Sequence, residues 1–340
     1  MTTFATTDSN VYHIEADQYV PGNILFSDRH ALKTTDGTTT WLIAGSSSSG
    51  YSTSSGSSAR FNYITGFHQV SATRVFLVDH RNHCMRMLDR TSNASYVSYA
   101  GYCCSRGYAD GTSRARFYYP WSAIADKKAT GRLLVTEWGN HAIRHVYTHY
   151  AGYQYVSTFY RSTSLLQNPK GITQEYTSGN LFITAKAHNV YKLSYSSKAL
   201  TPLSGTGSGG FPFQAEFKDP RDLLLIGQHT ILIADEENHR LCALDLNSLM
   251  TSSLCSGTSG TVDGNLTACS TNYPQSLAVV NGSLFIGQYQ AIRKIEGLCH
   301  QLFLNYGNEV TFKYAGNCIN TLISNSLTLY CKLPTVNIWI

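Results

Sequence analysis

Charge is scarce in this chain, and so is methionine. Of 340 residues, 14% are charged and only four are Met. A helical bundle or coiled coil draws on Ala, Glu, Lys and Leu, so neither is the main architecture. No stretch of about 18 uncharged apolar residues occurs, which excludes a transmembrane helix within this sequence. Short chemical motifs are missing too. No Cys-x-x-Cys supports a zinc ribbon. There is no Gly-x-Ser-x-Gly elbow, and no Lys-Ser/Thr pair follows the Gly-rich runs to cradle a phosphate. What is present is 42% hydrophobic, with 23 Tyr and 14 Phe, too apolar and aromatic for disorder. The 27 Gly and the many Ser and Thr favour an all-β protein with frequent turns. A net charge of +5 is modest for this length and does not by itself call for nucleic acid.

One phrase recurs at intervals of about 50 residues: an apolar run, a polar turn, then a second short strand. The runs begin at Ile24, Val75, Leu133, Leu181, Ile231 and Leu284. His30, His83, His141, His188 and His239 occupy the matching place in the turns, and Gln290 the sixth. Upstream of four runs, Pro120, Pro169, Pro220 and Pro274 each precede an apolar stretch, where Pro costs no ladder hydrogen bond. Further upstream are strands ending in a small residue and Gly, such as Trp41 to Gly45 and Tyr96 to Gly101. Four strands in about 50 residues make an antiparallel blade, and one blade cannot bury both of its faces. The expectation is therefore a six-bladed β-propeller of four-stranded antiparallel blades over residues 1–316. Residues 10–36 lack a first strand and residues 309–316 read as an orphan one, so the N-terminal strands are expected to pair with that C-terminal strand and complete blade six. Residues 317–340 form a tail without a clear seat.

The spacing Asp79-x-x-Asn82-His83-x-x-Arg86, Glu137-x-x-Asn140-His141-x-x-Arg144 and Asp235-x-x-Asn238-His239 resembles the NHL repeat. So do Ala109-Asp110-Gly111 with Phe117 and Pro120, and Gly205 with Phe217 and Pro220. The likeness spans roughly residues 10–316 and implies a propeller. NHL propellers include RNA-binding and protein-binding modules, receptor ectodomains and an amidating lyase, so the frame leaves the function open.

Each repeated polar residue has a structural reading. Asp28, Asp79, Glu137 and Asp235 end their strands, where a carboxylate accepts turn N–H groups. The five turn histidines recur once per blade, too far apart to share a metal, and are expected to bond backbone. Lys33, Arg86, Arg144 and Arg293 share one repeat position and offer a basic face for RNA phosphates, but two repeats lack the charge. His13, His68, His145, His149, His229 and His300 fall outside the repeat and show no His-x-His or His-Glu-x-x-His pattern. No catalytic residue is assigned and no cofactor is expected, though the channel leaves room for a structural calcium or zinc ion. Cys255 with Cys269 and Cys318 with Cys331 are disulfide candidates, while adjacent Cys103 and Cys104 find no obvious place. Asn93, Asn265 and Asn281 head glycosylation sequons.

These readings converge on a non-enzymatic recognition module. Its loops 46–60, 102–116, 205–216 and 257–272 are expected to meet a protein or glycan, because binding concentrates in loops on a rigid scaffold. The module is expected to be a monomer, outside the cell or at its surface, with the cytoplasm as the alternative. The runners-up are a metal-dependent lyase or hydrolase acting at the channel and an RNA-binding propeller, nucleic acid being the weaker partner.

Overall fold

The structure, a computed structural model, describes residues 1–91, 94–112, 114–148, 154–185, 188–205, 216–255, 257–264, 269–296, 318–323 and 326–331. In chain order the strands are β1 (Thr2–Ala16), β2 (Ile24–Asp28), β3 (Ala31–Thr35), β4 (Thr40–Gly45), β5 (Ile64–Gln69), β6 (Arg74–Asp79), β7 (Cys84–Asp89) and β8 (Ala94–Ala100). There follow β9 (Pro120–Ala125), β10 (Arg132–Glu137), β11 (Ala142–Tyr147), β12 (Val156–Arg161), β13 (Ile172–Gln174), β14 (Leu181–Ala185), β15 (Asn189–Leu193) and β16 (Leu200–Ser204). The last are β17 (Pro220–Ile226), β18 (Thr230–Asp235), β19 (Arg240–Asp245), β20 (Thr251–Ser253), β21 (Ser276–Val280), β22 (Ser283–Ile295), β23 (Cys318–Ile323) and β24 (Ser326–Cys331).

The second strand of each unit is a continuous apolar run, such as Leu133–Val135 on β10 or Ile231–Ile233 on β18, and is buried on both faces. That is the pattern of a strand with a neighbouring sheet on either side. The core is a set of slabs between sheets. Phe76, Val78 and Met85 of one sheet meet Ala123, Leu133 and Val135 of the next. Phe182 and Val190 likewise meet Leu223, Ile231 and Ile233. Each such side chain contributes about 1.5–3 kcal/mol by leaving water.

The sheets correct the expected architecture. Among the described residues there are five blade sheets, not six: four of four strands, and one of six strands in the order β21-β22-β1-β2-β3-β4. The cause lies in two long strands. β1 runs unbroken for 15 residues and β22 for 13, so two repeat units share one hydrogen-bonded sheet. That sheet curls on itself, packing Ile14 and Phe26 against Phe285 and Ile292. Closure differs as well. Thr2 to Asn10 pair with Lys294 to Tyr289 of β22, and Val11 to Ala16 pair with β2. Residues 309–316 lie outside the described residues. The strands ending in Gly complete the sheet behind them: β4 pairs with β3, and β8 with β7. Short turns hold consecutive antiparallel strands together, and it is the long loop that carries the chain to the next sheet. In the tail, β23 and β24 form a hairpin that places Cys318 opposite Cys331.

Gly45 shows why glycine ends the fourth strand. Its φ is +100°, and a Cβ there would strike the carbonyl of the repeat residue His30.

Candidate functional site

The repeated carboxylates are deeply buried. Asp79 accepts from the backbone N–H of Asn62, from Asn82 Nδ2 and from Arg86. Glu137 repeats the pattern with Tyr118 N–H, Asn140 and Arg144. Arg86, Arg144 and Arg293 are fully buried, so none of them can meet an RNA phosphate. They pin the long loops instead. Arg86 donates to the Ser52 carbonyl, Arg144 to that of Ala109 and to Asp110, and Arg293 to that of Val262 and to Asp263. Lys33 stands in the same place in the first unit, between Asp8 and Asp28 at 2.6 Å from each. Asp235 keeps Lys218 N–H and Asn238, but draws Arg240 where its own repeat position holds Cys242. Burial pushes Asp79 up to about 6, and lifts Glu137 too, against the pull of their arginines.

The histidines join one sheet to the next. Nδ1 of His30, His83, His141, His188 and His239 accepts the backbone N–H of Tyr63, Tyr119, Asn168, Asp219 and Tyr273 respectively. All five donors have positive φ, between 48° and 64°. An acceptor Nδ1 requires the neutral ring. Burial, followed by the charges of Arg29 and Arg81, brings His30 down to about 4, and burial also lowers His83.

The first strands β1, β5, β9, β13, β17 and β21 pack side by side around the axis. Hydrogen bonds link them, from Thr65 Oγ1 to the Trp121 carbonyl and from Leu277 N–H to Asp222. On these strands or just before them, one repeat position carries a different chemistry in every unit: Tyr12, Thr65, Trp121, Lys170, Arg221 and Gln275. These residues, with the turns after the apolar runs, form the mouth of the channel. Its two sides differ. On one, Lys170 pairs with Asp219, Arg221 pairs with Glu236, and Gln275 donates to Glu236. Burial lifts Glu236 to about 7 against Arg221, while Arg221 and Lys170 hold Asp219 below the usual carboxylate range despite its own burial. On the other side stand aromatic rings. Trp121 is half-buried, with the Arg221 guanidinium 4.8 Å and the Lys170 ammonium 5.3 Å from its ring centroid. His80, bonded to the Pro120 carbonyl, meets Trp121 edge-on at 4.9 Å and also packs on Tyr119. Tyr12 meets Tyr63 edge-on at 5.8 Å.

Deeper in, His68 Nδ1 lies 3.0 Å and His13 Nε2 3.8 Å from Glu15 Oε1. Burial opposes ionisation of Glu15, but His68 and His13 hold its carboxyl well below the usual range. Among the described residues no three His, Cys, Asp or Glu are grouped to hold a metal ion. Beside the mouth, a cavity of about 540 Å³ opens between β1 and the β3–β4 edge, lined by Asp8, Ser9, Arg29, Thr40, Ser46 and Ser47.

Cys255 and Cys269 form a disulfide, as their spacing suggested. A second one, Cys84–Cys103, was not legible, because its halves sit on β7 and in the long loop after β8. Cys104 is exposed and free, and Cys242 is buried. Asn281 sits in the exposed β21–β22 turn, whereas Asn93 and Asn265 lie outside the described residues. The mouth residues were missed in the sequence although their signal was there: the position after Pro120, Pro169, Pro220 and Pro274 reads Trp, Lys, Arg and Gln, a fixed seat with changing chemistry.

Sheets stacked around a channel with a built mouth define the class: a β-propeller. Solved structures agree on the fold. The chain is similar to an auxiliary nutrient binding protein of Bacteroides thetaiotaomicron, at 12% identity and a TM-score of 0.63, over 87% of this chain and 76% of that one. It is similar to the Bacteroides ovatus protein of the same description, at 14% identity and 0.61, over 84% and 70%. A streptogramin B lyase matches at 12% identity and 0.56, over 86% and 95%. No family model matches the chain, and no curated protein does.

Proposed function

We propose that this protein is a non-enzymatic recognition propeller of the NHL type whose ligand, a glycan or a protein surface, seats on the channel mouth. The observation that carries the reading is Trp121, a half-buried platform held between Arg221, Lys170 and His80. An aromatic face fixed by cations and an edge-on imidazole is preorganised, so little ordering cost falls on binding. The long loops, pinned by buried arginines, serve as wedges between sheets, and the turn carboxylates, asparagines and histidines as fold-forming groups. The nutrient-binding neighbours support a binding role. The Cys84–Cys103 and Cys255–Cys269 disulfides support a place outside the cell or at its surface.

The test is binding of the full chain to an immobilised glycan array, with Trp121→Ala beside wild type and equal melting temperatures as the control. Trp121→Ala should lose binding by about tenfold or more, as truncation of a central aromatic anchor does. Array binding that Trp121→Ala leaves unchanged contradicts the reading.

A further inference from the structure

The mouth is unbalanced in charge. Two of its acids, Asp219 and Glu236, are engaged by Lys170 and Arg221. On the far side Arg29 and Arg81 are both exposed, and neither has a carboxylate partner among the described residues. They come from different turns, Arg29 between β2 and β3 and Arg81 between β6 and β7. Yet both converge on one ring. Arg29 donates to the Tyr63 hydroxyl at 2.9 Å, with its guanidinium 5.2 Å from the ring centroid, and that of Arg81 lies 4.1 Å from the same centroid. Tyr12 stands edge-on to that ring. Two guanidinium forks held around one tyrosine, with donors to spare, suit a planar carboxylate or a sulfate. Arg29 also stands at the lip of the 540 Å³ cavity, whose Ser9, Thr40, Ser46 and Ser47 hydroxyls match a hydroxylated chain.

We infer that the mouth takes an acidic saccharide, one sugar ring on the aromatic side by Trp121 and Tyr12, its carboxylate or sulfate between Arg29 and Arg81. This rests on the mouth being the ligand site and names the class of ligand. The group recognised is an anion on a sugar, whether a uronate, a sialate or a sulfate ester.

The test measures affinity of the full chain for tetragalacturonate, a sialylated trisaccharide and a sulfated disaccharide, each beside its neutral counterpart (methyl ester, asialo, desulfated). Wild type, Arg29→Gln with Arg81→Gln, and Trp121→Ala are compared, and a melting curve checks the fold of each. At least one acidic member should bind about tenfold or more tighter than its neutral counterpart, the range of charge-assisted hydrogen bonds. The double Gln variant should erase that preference, Arg29→Lys with Arg81→Lys should keep part of it, and added salt should narrow it. Equal binding of neutral and acidic members, a preference that survives the double Gln variant, or no acidic member bound overturns the inference. If Trp121-dependent binding of neutral glycans persists meanwhile, the mouth reading stands and only the acidic group falls.

Discussion

Two sets of residues recur once per unit, and they behave in opposite ways. The turn set, Asp79–Asn82–Arg86 and Glu137–Asn140–Arg144, stands in full in these two units and in part in the others, and it is buried with each carboxylate bonded to its asparagine and arginine. The mouth set, Tyr12, Thr65, Trp121, Lys170, Arg221 and Gln275, changes at every step; Thr65, Lys170 and Gln275 are buried, while Tyr12, Trp121 and Arg221 are half-buried. Where the basic residue recurs, as Arg86, Arg144 and Arg293, it pins a long loop. Variation at an equally fixed seat marks freedom from that demand, and there the chain can specialise.

The largest effect that would sharpen this contrast lies in the turn set. Arg144→Ala leaves Glu137 buried without its cation, and should cost about 3–5 kcal/mol in urea unfolding. Trp121→Ala, by contrast, should disturb binding far more than folding, and equal losses of stability in both variants would break the distinction. Next comes the Cys84–Cys103 disulfide. Replacing both with Ser should cost about 2–4 kcal/mol, since the bridge closes a loop with a sequence separation of 19. A smaller effect concerns pH. His30 titrates at about 4 in the fold and near its ordinary value of about 6.5 when unfolded, so the unfolded chain binds more protons between those values. Its contribution is therefore present above about pH 6.5 and is lost as pH falls toward 4. Asp79 and Glu236, raised by burial, act in the opposite sense in part of that window. The histidine is isolated by difference: the stability gap between wild type and His30→Gln should shrink by roughly 1–3 kcal/mol across it. A gap that stays flat would mean that the Tyr63 N–H to imidazole bond is not holding the sheets together.

Much of the fold could be read from the chain, because the central strands announce themselves as apolar runs and the turns as Asp-x-x-Asn-His. Cys255 and Cys269 flank one loop and were legible for that reason. Besides the Cys84–Cys103 bridge, three things were not. The number of sheets depends on whether β1 and β22 break or run through: Gln290 holds the turn seat with a φ of +56°, yet β22 carries on past it from β21 to pair with β1. The partner of the Gly-ended strand depends on which connection is short, and this reverses the frame by one strand. The Arg29–Tyr63–Arg81 cluster joins residues from three separate segments, which no local spacing reveals.

The most direct test of the mouth as the functional site is hydrogen–deuterium exchange of the full chain with and without a bound oligosaccharide from the panel. Protection should gather at the β5 and β9 starts, around Tyr63 and Trp121, and at the turns carrying Arg29 and Arg81. Protection confined to loops 46–60, 102–116 and 257–272, with the mouth unchanged, would contradict the account.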